Sequence, residues 1–212
     1  MNIFGVRVDE VTLDQAVERI QVHPRGVLGK PYFIVTPNPE QIVQAQEDEE
    51  FRKILNSADL AIPDGSGLRL AGVKTRVTGI ELMEVLMKTG KRVMLVGGKR
   101  GWPDLAKINK VKPDFLFVGL GAPKQEKWVY ENLSQLPVGV VMVVGGAIDQ
   151  IADPSLRPPK WLDQMGLGWL YRLLRQPWRW QRQLRLLKFG WMVTCLAARG
   201  WHLFCSGGRR GN

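Results

Sequence analysis

The sequence VGVVMVVGGAID at residues 138–149 decides the fold. Its first seven residues carry no polar side chain, which is typical of a central parallel strand buried on both faces of a sheet. Four further apolar runs predict strands at residues 32–35, 60–62, 92–96 and 114–118. Helical patterns alternate with these runs. The chain is therefore predicted to form an α/β fold, with a Rossmann-like, mostly parallel sheet covered by helices.

Three signals mark helix starts between these strands. Thr12 with Gln15 can form a capping box, Pro39 opens a segment rich in Glu and Gln, and Pro123 stands in a first-turn position. The stretch DPSLRPP at residues 153–159 then ends the pattern, because adjacent prolines continue neither a helix nor a central strand. We predict an α/β domain over residues 1–155 and a helical, Arg/Trp-rich appendage over residues 156–212. Its helices are expected at 161–174 and from 178 to about 204.

Charge and tryptophan concentrate in the appendage. The whole chain has a net charge of +10, and residues 161–212 hold nine lysines and arginines but one acid, Asp163, together with six of the eight tryptophans. Trp beside Arg is typical of a membrane interface, and the competing partner for such a surface is nucleic acid. Five arginines at spacings of three and four predict a positive helical stripe that binds phosphate: Arg172, Arg175, Arg179, Arg182 and Arg185.

The most apolar stretch, residues 189–205, is interrupted by Arg199 and Gly200 and is expected to lie on a membrane rather than cross it. The first residues contain no apolar run of signal-peptide length. Both cysteines, Cys195 and Cys205, lie near the end of the chain. We therefore expect a cytoplasmic protein that is peripheral on the inner face of the membrane.

Four segments follow the predicted strands at the edge where open α/β sheets bind ligands: residues 36–40, 63–67, 119–126 and 145–149. Asp64 is a candidate general base for a substrate hydroxyl, although Pro-Asp-Gly is also an ordinary turn sequence. Thr36 and Asn38 either line the same site or cap the next helix. The Lys124-Gln125-Glu126 run either lines a sugar or phosphate pocket or forms a solvated first helical turn.

Several chemistries receive little support from the residues. The Gly119-x-Gly121 pair lacks the third glycine of a dinucleotide fingerprint, and no Walker A pattern occurs. No Asp-x-Asp pair suggests a divalent cation, and His23 and His202 stand apart in the sequence. The sequence therefore implies no cofactor and no metal.

Together these segments resemble the WecG/TagA/CpsF family of bacterial glycosyltransferases. The resemblance runs through residues 36–40, 58–65, 76–79, 119–126, 144–149, 157–161 and 167–172. It implies a hexosyltransferase that moves N-acetylmannosamine, or a related N-acetylhexosamine or uronate, from a UDP-sugar to polyprenyl-diphosphate-linked N-acetylglucosamine. Transfer would invert the anomeric centre without a metal, in the synthesis of a cell-surface polysaccharide.

The resemblance also assigns roles to residues. Asp64 would deprotonate the acceptor, with Thr36 in the same pocket, while Arg172, Arg179 and Arg182 would close over the site and steady the leaving diphosphate. A further set would bind substrate: Asn38, Gly65, Arg76, Gly119, Gly121, Lys124, Gln125, Glu126, Gly145, Gly146 and Asp149. The implied partners are the two substrates and an anionic membrane surface, with a possible homo-oligomer and no nucleic acid.

The chain departs from the family at residues 99–113, where family members usually carry a longer stretch with a further strand and helix. A smaller sheet or a missing edge element is therefore expected. Two other functions stay open at this point. One is a nucleotide-binding domain without sugar transfer, and the other is a noncatalytic basic module that binds anionic lipid or nucleic acid.

Overall fold

The computed structural model describes residues 1–22, 30–177 and 180–206, with residues 197–206 as backbone only. In chain order the strands are β1 (Asn2–Ile3), β2 (Val6–Arg7), β3 (Tyr32–Val35), β4 (Leu60–Ala61), β5 (Val93–Gly97), β6 (Phe115–Gly119) and β7 (Val140–Val143). The helices are α1 (Leu13–Val22), α2 (Pro39–Gln44), α3 (Glu49–Ser57), α4 (Gly79–Met87), α5 (Leu105–Val111), α6 (Lys124–Asn132), α7 (Ala147–Ala152), α8 (Lys160–Gln164), α9 (Gly168–Arg175) and α10 (Trp180–Ser206).

Five strands form one sheet in the order β4-β3-β7-β6-β5, and every neighbouring pair is parallel. The predicted α/β class is confirmed, and the all-apolar strand β7 lies at its centre with all four residues buried. Side chains alternate between the two faces. Along β3, Phe33 and Val35 join the core beneath α2, α3 and α6, whereas Tyr32 and Ile34 join the core beneath α1, α4 and α7.

Two of the three helix signals read from the sequence act as predicted, whereas Pro123 is the N-cap before its helix and not part of the first turn. Thr12 donates its amide to Gln15 Oε1 at 3.0 Å and accepts from the Gln15 amide at 3.3 Å, which is the reciprocal pair of a capping box. Helix α2 begins at Pro39, and α6 begins at Lys124 with Pro123 directly before it. These starts orient each helix so that its first turn lies at the carboxyl edge of the sheet.

The two outer strands of the sheet, β4 and β5, differ in what lies beside them. At the β4 edge both backbone groups of Ala61 are bonded to Asp9, amide to carboxylate at 2.9 Å and carbonyl to amide at 2.8 Å. At the other edge β5 is the outer strand, and only a 3-10 turn and the short helix α5 separate it from β6. The short connection expected at residues 99–113 therefore leaves β5 outermost.

The predicted helix at residues 161–174 is wrong in one respect, because it is divided into α8 and α9. Gly166 has φ 78°, a left-handed conformation that favours glycine. Its amide donates to the Asp163 carbonyl at 3.0 Å, and the Leu167 amide donates to the Leu162 carbonyl at 3.0 Å. This bonding ends α8 and turns the chain before α9.

Helix α10 packs along α2 rather than standing apart from the α/β body. Phe189 is 1% exposed and meets Phe4 edge to face, with ring centroids 6.2 Å apart. The expectation that the apolar run from Phe189 lies on a membrane is therefore wrong for Phe189 itself, although Trp191 and Leu196 are exposed. Within the described residues, no helix combines the length and apolar character needed to cross a membrane.

The five tail arginines do not form one continuous stripe. Arg172 and Arg175 lie on α9, Arg182 and Arg185 lie on α10, and Pro177 stands between the two helices. Arg179 lies outside the described residues. The break allows the arginines to reach two different parts of the sheet edge.

Candidate active site

The four segments expected to carry chemistry meet at the carboxyl edge of the sheet. They follow β3, β4, β6 and β7, which are consecutive neighbours in the order β4-β3-β7-β6. Parallel strands end at the same side of a sheet, so each segment faces the next. Helices α8 and α9 cover part of this edge, as the contacts described below show.

The Asp64 loop is held against the start of α2. The Asp64 amide donates to the Pro37 carbonyl at 3.0 Å, and Gly65 adopts φ 95° to make the turn. A Cβ on Gly67 would stand 2.8 Å from Pro39 Cγ, so the loop and the proline are in close contact. The loop that carries Asp64 therefore has a fixed position beside Thr36 and Asn38.

Asp64 combines burial with two nearby positive charges. Burial raises the pKa of the Asp64 carboxyl above its ordinary value, while the charges of Arg172 and Arg76 lower it and those of Glu81 and Asp163 raise it. Among the described residues, no side-chain or backbone donor forms a hydrogen bond to this carboxylate. A carboxylate with a raised pKa and free oxygens can accept a proton from a bound hydroxyl.

Thr36 and Asn38 are close to Asp64 but have structural partners. The buried Thr36 hydroxyl donates to the Val143 carbonyl at 3.5 Å, which links the ends of β3 and β7. Asn38 Oδ1 accepts from the Gln41 amide at 3.0 Å and caps α2. The capping interpretation of Asn38 is thus what the structure shows, and it places the Asn38 side chain at the same edge.

Arg76 connects the body to the appendage. Its guanidinium donates to both oxygens of Asp163 on α8, at 3.0 Å and 2.8 Å. Arg76 Nε is buried without a hydrogen-bond partner among the described residues, and so is Arg172 Nε on α9. Both guanidinium groups lower the pKa of Asp64, and each has an Nε–H that forms no hydrogen bond among the described residues.

A cleft lies between the end of β7 and α9. Gly146 and Asp149 line it from the body, and Arg172 and Arg175 line it from α9. The guanidinium of Arg175 also lies over the Tyr171 ring, 5.6 Å from its centroid. The cleft thus presents a carboxylate on one wall and two positive charges on the other.

The segment that follows β6 forms a support rather than a pocket wall. The buried Gln125 accepts from the amides of Gly121 and Gly145 at 3.2 Å and 3.1 Å, which ties two glycine loops together. It donates to Glu126 Oε1 at 2.9 Å, and Gln41 of α2 donates to the same oxygen at 2.9 Å. Burial raises the pKa of Glu126 to about 7, against the smaller lowering effect of these hydrogen bonds.

The other predicted members of this segment are placed differently. Gly119 is the last residue of β6, and Lys124 is exposed at the first turn of α6, as its solvated interpretation expects. Glu126 is fully buried and does not line the cleft. The structure therefore separates Lys124 and Glu126 from Asp64, Arg76, Arg172 and Asp149.

Arg182 approaches the same edge from α10. Its Nε lies 3.3 Å from Glu40 Oε1, and Arg185 contacts the same oxygen at 3.5 Å. A Cβ on Gly121 would stand 3.8 Å from an Arg182 terminal nitrogen. Arg182 therefore spans the start of α2 and the loop after β6.

Two residues with a part in this arrangement escaped the sequence reasoning. Asp163 was noted only as the lone acid of residues 161–212, and that isolation was the signal that could have found it. Ser66, whose hydroxyl donates to the Gly166 carbonyl at 3.3 Å, lies in the predicted segment 63–67, but nothing in the sequence distinguishes it from its neighbours. Both contacts join the appendage to the body.

Comparison with known proteins gives one consistent answer. The model of the glycosyl transferase WecG/TagA/CpsF family matches residues 1–107 and 103–203, and the two matches meet inside the short connection at 99–113. Two relatives come from Staphylococcus aureus strains MW2 and NCTC 8325. Both are named N-acetylglucosaminyldiphosphoundecaprenol N-acetyl-beta-D-mannosaminyltransferase. Each is 29% identical over 225 residues, which cover 88% of this chain and 87% of the relative.

Proposed function

The chain belongs to the WecG/TagA/CpsF family of glycosyltransferases, and we propose that it transfers N-acetylmannosamine from a UDP-sugar to polyprenyl-diphosphate-linked N-acetylglucosamine. The acceptor class follows the printed names of the relatives. The UDP donor is our extension, and so are transfer with inversion and independence from metal. Donors of a related N-acetylhexosamine or uronate fit the same proposal.

The observation that carries this proposal is the environment of Asp64. The carboxylate lies at the ligand-binding edge of a parallel sheet, its pKa is raised by burial, and the charges of Arg172 and Arg76 act on it in the lowering direction. A general base needs free oxygens and a pKa closer to the working pH than that of an exposed aspartate. Asp64 meets both requirements.

The proposed reaction is a single displacement. Asp64 accepts the proton of an acceptor hydroxyl as its oxygen forms a bond to the anomeric carbon of the donor. The bond between that carbon and the diphosphate breaks, and its electron pair leaves with UDP. Attack and departure on opposite faces of the sugar invert the anomeric centre. The proton ends on Asp64 and returns to water after product release.

Positive side chains take the part that a metal plays in other sugar transfers. Negative charge develops on the departing diphosphate, and donors aimed at developing charge lower the barrier most. Arg172 lines the cleft and has a buried Nε without a partner among the described residues, while Arg182 reaches the loop after β6. These two arginines are our candidates for contacts to the diphosphate.

We also propose that the appendage binds the cytoplasmic face of the membrane, where a polyprenyl-linked acceptor resides. Large apolar side chains are exposed on α8, α9 and α10, and tryptophans are frequent among them. The exposed group comprises Trp161, Trp169, Leu174, Trp180, Leu184, Leu187, Trp191 and Leu196. Arginine and tryptophan on one surface suit an anionic interface.

The test measures UDP release from purified protein given UDP-N-acetylmannosamine, a short-chain polyprenyl-diphosphate N-acetylglucosamine and detergent. Acceptor-dependent release is expected from the natural protein and is expected to fall about 100- to 10,000-fold in Asp64→Asn. Asp59→Asn is the matched control. Asp59 lies at the opposite edge of the sheet, where its carboxylate accepts from the Phe33 amide at 2.7 Å, a bond that an asparagine oxygen can keep.

Two results would contradict the proposal. Undiminished UDP release by the Asp64→Asn variant would show that Asp64 is not the general base. Absence of UDP release from the folded natural protein would show that the proposed donor and acceptor are not its substrates. Equal losses in the two variants would show that the effect comes from folding and not from the chemistry, so circular dichroism and a thermal melt accompany each assay.

A further inference from the structure

Asp163 stands out because it is the lone acid among residues 161–212 and its carboxylate is committed to one guanidinium. Arg76 donates to Asp163 Oδ1 at 3.0 Å and to Oδ2 at 2.8 Å. Both side chains are partly buried, with exposures of 21% for Arg76 and 32% for Asp163. Charge-assisted bonds in partly buried positions are stronger than those on an open surface.

The same carboxylate also touches the beginning of α9. A Cβ on Gly168, the first residue of α9, would stand 2.6 Å from Asp163 Oδ1. The carboxylate therefore lies directly against the helix backbone. Its negative charge is also near the positive end of the helix, where no side chain of the described residues caps the first turn.

Arg172 lies four residues after Gly168, and therefore one turn further along the same face of α9. A second contact supports the same placement, since Ser66 Oγ donates to the Gly166 carbonyl at 3.3 Å just before the helix begins. Ser66 is two residues from Asp64. The start of α9 is thus tied to the Asp64 loop and to Arg76 at once.

We infer that Asp163 is a positioning residue for sugar transfer, which sets α9 so that Arg172 lies beside Asp64. This inference rests on the proposed function for its kinetic test. Asp163 itself touches no reacting atom, because its oxygens are bound to Arg76 and packed on α9. Its positioning effect on the reaction passes through Arg172, in addition to the direct effect of its charge on the pKa of Asp64.

Charge alone and positioning act on Asp64 in opposite directions. The charged groups around Asp64 are Arg172 on α9, Arg76 before α4, Glu81 on α4 and Asp163 on α8. The negative charge of Asp163 raises the pKa of Asp64, so its neutralisation alone lowers that pKa. Displacement of Arg172 removes a charge that lowers the pKa, so loss of positioning raises it.

The kinetic test compares Asp163→Asn, Arg172→Gln and the double variant by kcat, KM and the pH profile of kcat/KM. Asp163→Asn is expected to lower kcat about 10- to 100-fold, since small misplacements near reacting groups have effects of this size. The acid limb of the kcat/KM pH profile is expected to move to higher pH, because displacement of Arg172 raises the pKa of Asp64. In the Arg172→Gln background, Asp163→Asn should lower kcat by less than about twofold, because the effects of residues that act together are not additive.

Two further variants make the test specific. Glu84→Gln removes another ion pair of the appendage, to Arg157 at 2.6 Å, and is expected to keep kcat and the acid limb unchanged. Gly168→Ala keeps every charge but introduces a methyl group that the Asp163 carboxylate must avoid. It should lower kcat and raise the acid limb as Asp163→Asn does.

Amide hydrogen exchange over residues 168–175 provides a readout that needs no turnover, and faster exchange is expected in Asp163→Asn but not in Glu84→Gln. The natural protein could fail to transfer sugar while exchange is still faster in Asp163→Asn. The proposed function would then be wrong, but the role of Asp163 in holding the start of α9 would stand. Additive losses in the double variant, or an acid limb that moves to lower pH, would overturn the inference. So would unchanged exchange in an active enzyme.

Discussion

Two carboxylates at the same edge of the sheet, the half-buried Asp64 and the fully buried Glu126, differ in almost everything except the effect of burial. Burial raises the pKa of both Asp64 and Glu126. Glu126 accepts hydrogen bonds from Gln41 and Gln125, and no positive charge within the described part of the chain contributes to its pKa shift. Asp64 has no hydrogen-bond donor among the described residues but feels the charge of Arg172.

This contrast shows what separates a reactive acid from a supporting one. Two amide donors hold Glu126 Oε1, and Oε2 is buried without a partner among the described residues. Glu126 is 0% exposed, so burial rather than hydrogen bonding keeps a substrate away, and the group joins α2 to α6. Arginines keep Asp64 closer to its charged form without occupying its oxygens, so a substrate hydroxyl can bind there. A raised pKa alone does not distinguish the two groups.

The largest difference is expected in turnover. Asp64→Asn should lower kcat by about 100- to 10,000-fold, because the variant cannot take up the acceptor proton. Glu126→Gln should keep most of the turnover, because the amide oxygen can still accept from Gln41 and Gln125. Steady-state UDP release by both variants checks this, and a comparable loss in Glu126→Gln would break the distinction.

Arg172→Gln tests whether the charge of Arg172 acts both on the leaving diphosphate and on the pKa of Asp64. The loss of a donor aimed at the leaving diphosphate should lower kcat/KM about 100- to 1,000-fold. The Arg172 charge lowers the pKa of Asp64, so its removal raises that pKa and moves the acid limb of kcat/KM to higher pH. A pH profile from 5 to 9 tests the direction, and an acid limb that moves to lower pH would show that Arg172 does not act on the base.

The effect of Glu126 should appear in stability. Its pKa is 4.5 when exposed and about 7 in the fold, so the folded state binds its proton more tightly. This stabilisation is complete below pH 4.5 and is lost as the pH rises through about 7, by about 3 kcal/mol in total.

Glu126→Gln should remove that pH dependence, because glutamine stays neutral. Urea unfolding at pH 5, 6, 7 and 8 should show the variant gaining on the natural protein as the pH rises, to about 3 kcal/mol at pH 8. A constant difference across this range would mean that Glu126 is charged in the fold throughout.

The smallest expected effect belongs to Gln41→Met. Loss of the hydrogen bond to Glu126 should cost about 1 kcal/mol in unfolding free energy. That bond lowers the pKa of Glu126, so its loss raises the pKa and moves the fall in stability to higher pH. The same urea series measures both changes. In a Glu126→Gln background the pH-dependent part should vanish.

Much of the fold follows from local sequence, because strand and helix signals act over a few residues. The run at 138–149 predicts β7, and the Thr12–Gln15 box predicts the start of α1. The split between α8 and α9 was missed because it depends on one glycine with positive φ. The burial of Phe189 depends on Phe4, which lies far away in the sequence.

The site was predictable to a similar degree. Strand ends and family resemblance point to Asp64, Arg76 and Arg172, and the structure brings these three together. The inward direction of Glu126 could not be read from its position in a first helical turn, where a solvated and a buried side chain have the same local sequence. The ion pair between Arg76 and Asp163 joins residues 87 positions apart, so no local pattern encodes it.

The difference between the outer strands β4 and β5 has a consequence for the protein in concentrated solution. Asp9 occupies the backbone groups of Ala61 at the β4 edge. At the β5 edge the Gly97 amide donates to the Gly101 carbonyl at 3.0 Å, and among the described residues no such bond covers the outer side of the strand at 93–96. Exposed Lys91 and Lys99 stand at its two ends. Repulsion between such like charges opposes strand-to-strand association of two copies. We therefore expect the lysines to oppose aggregation, and high salt to weaken this effect by screening.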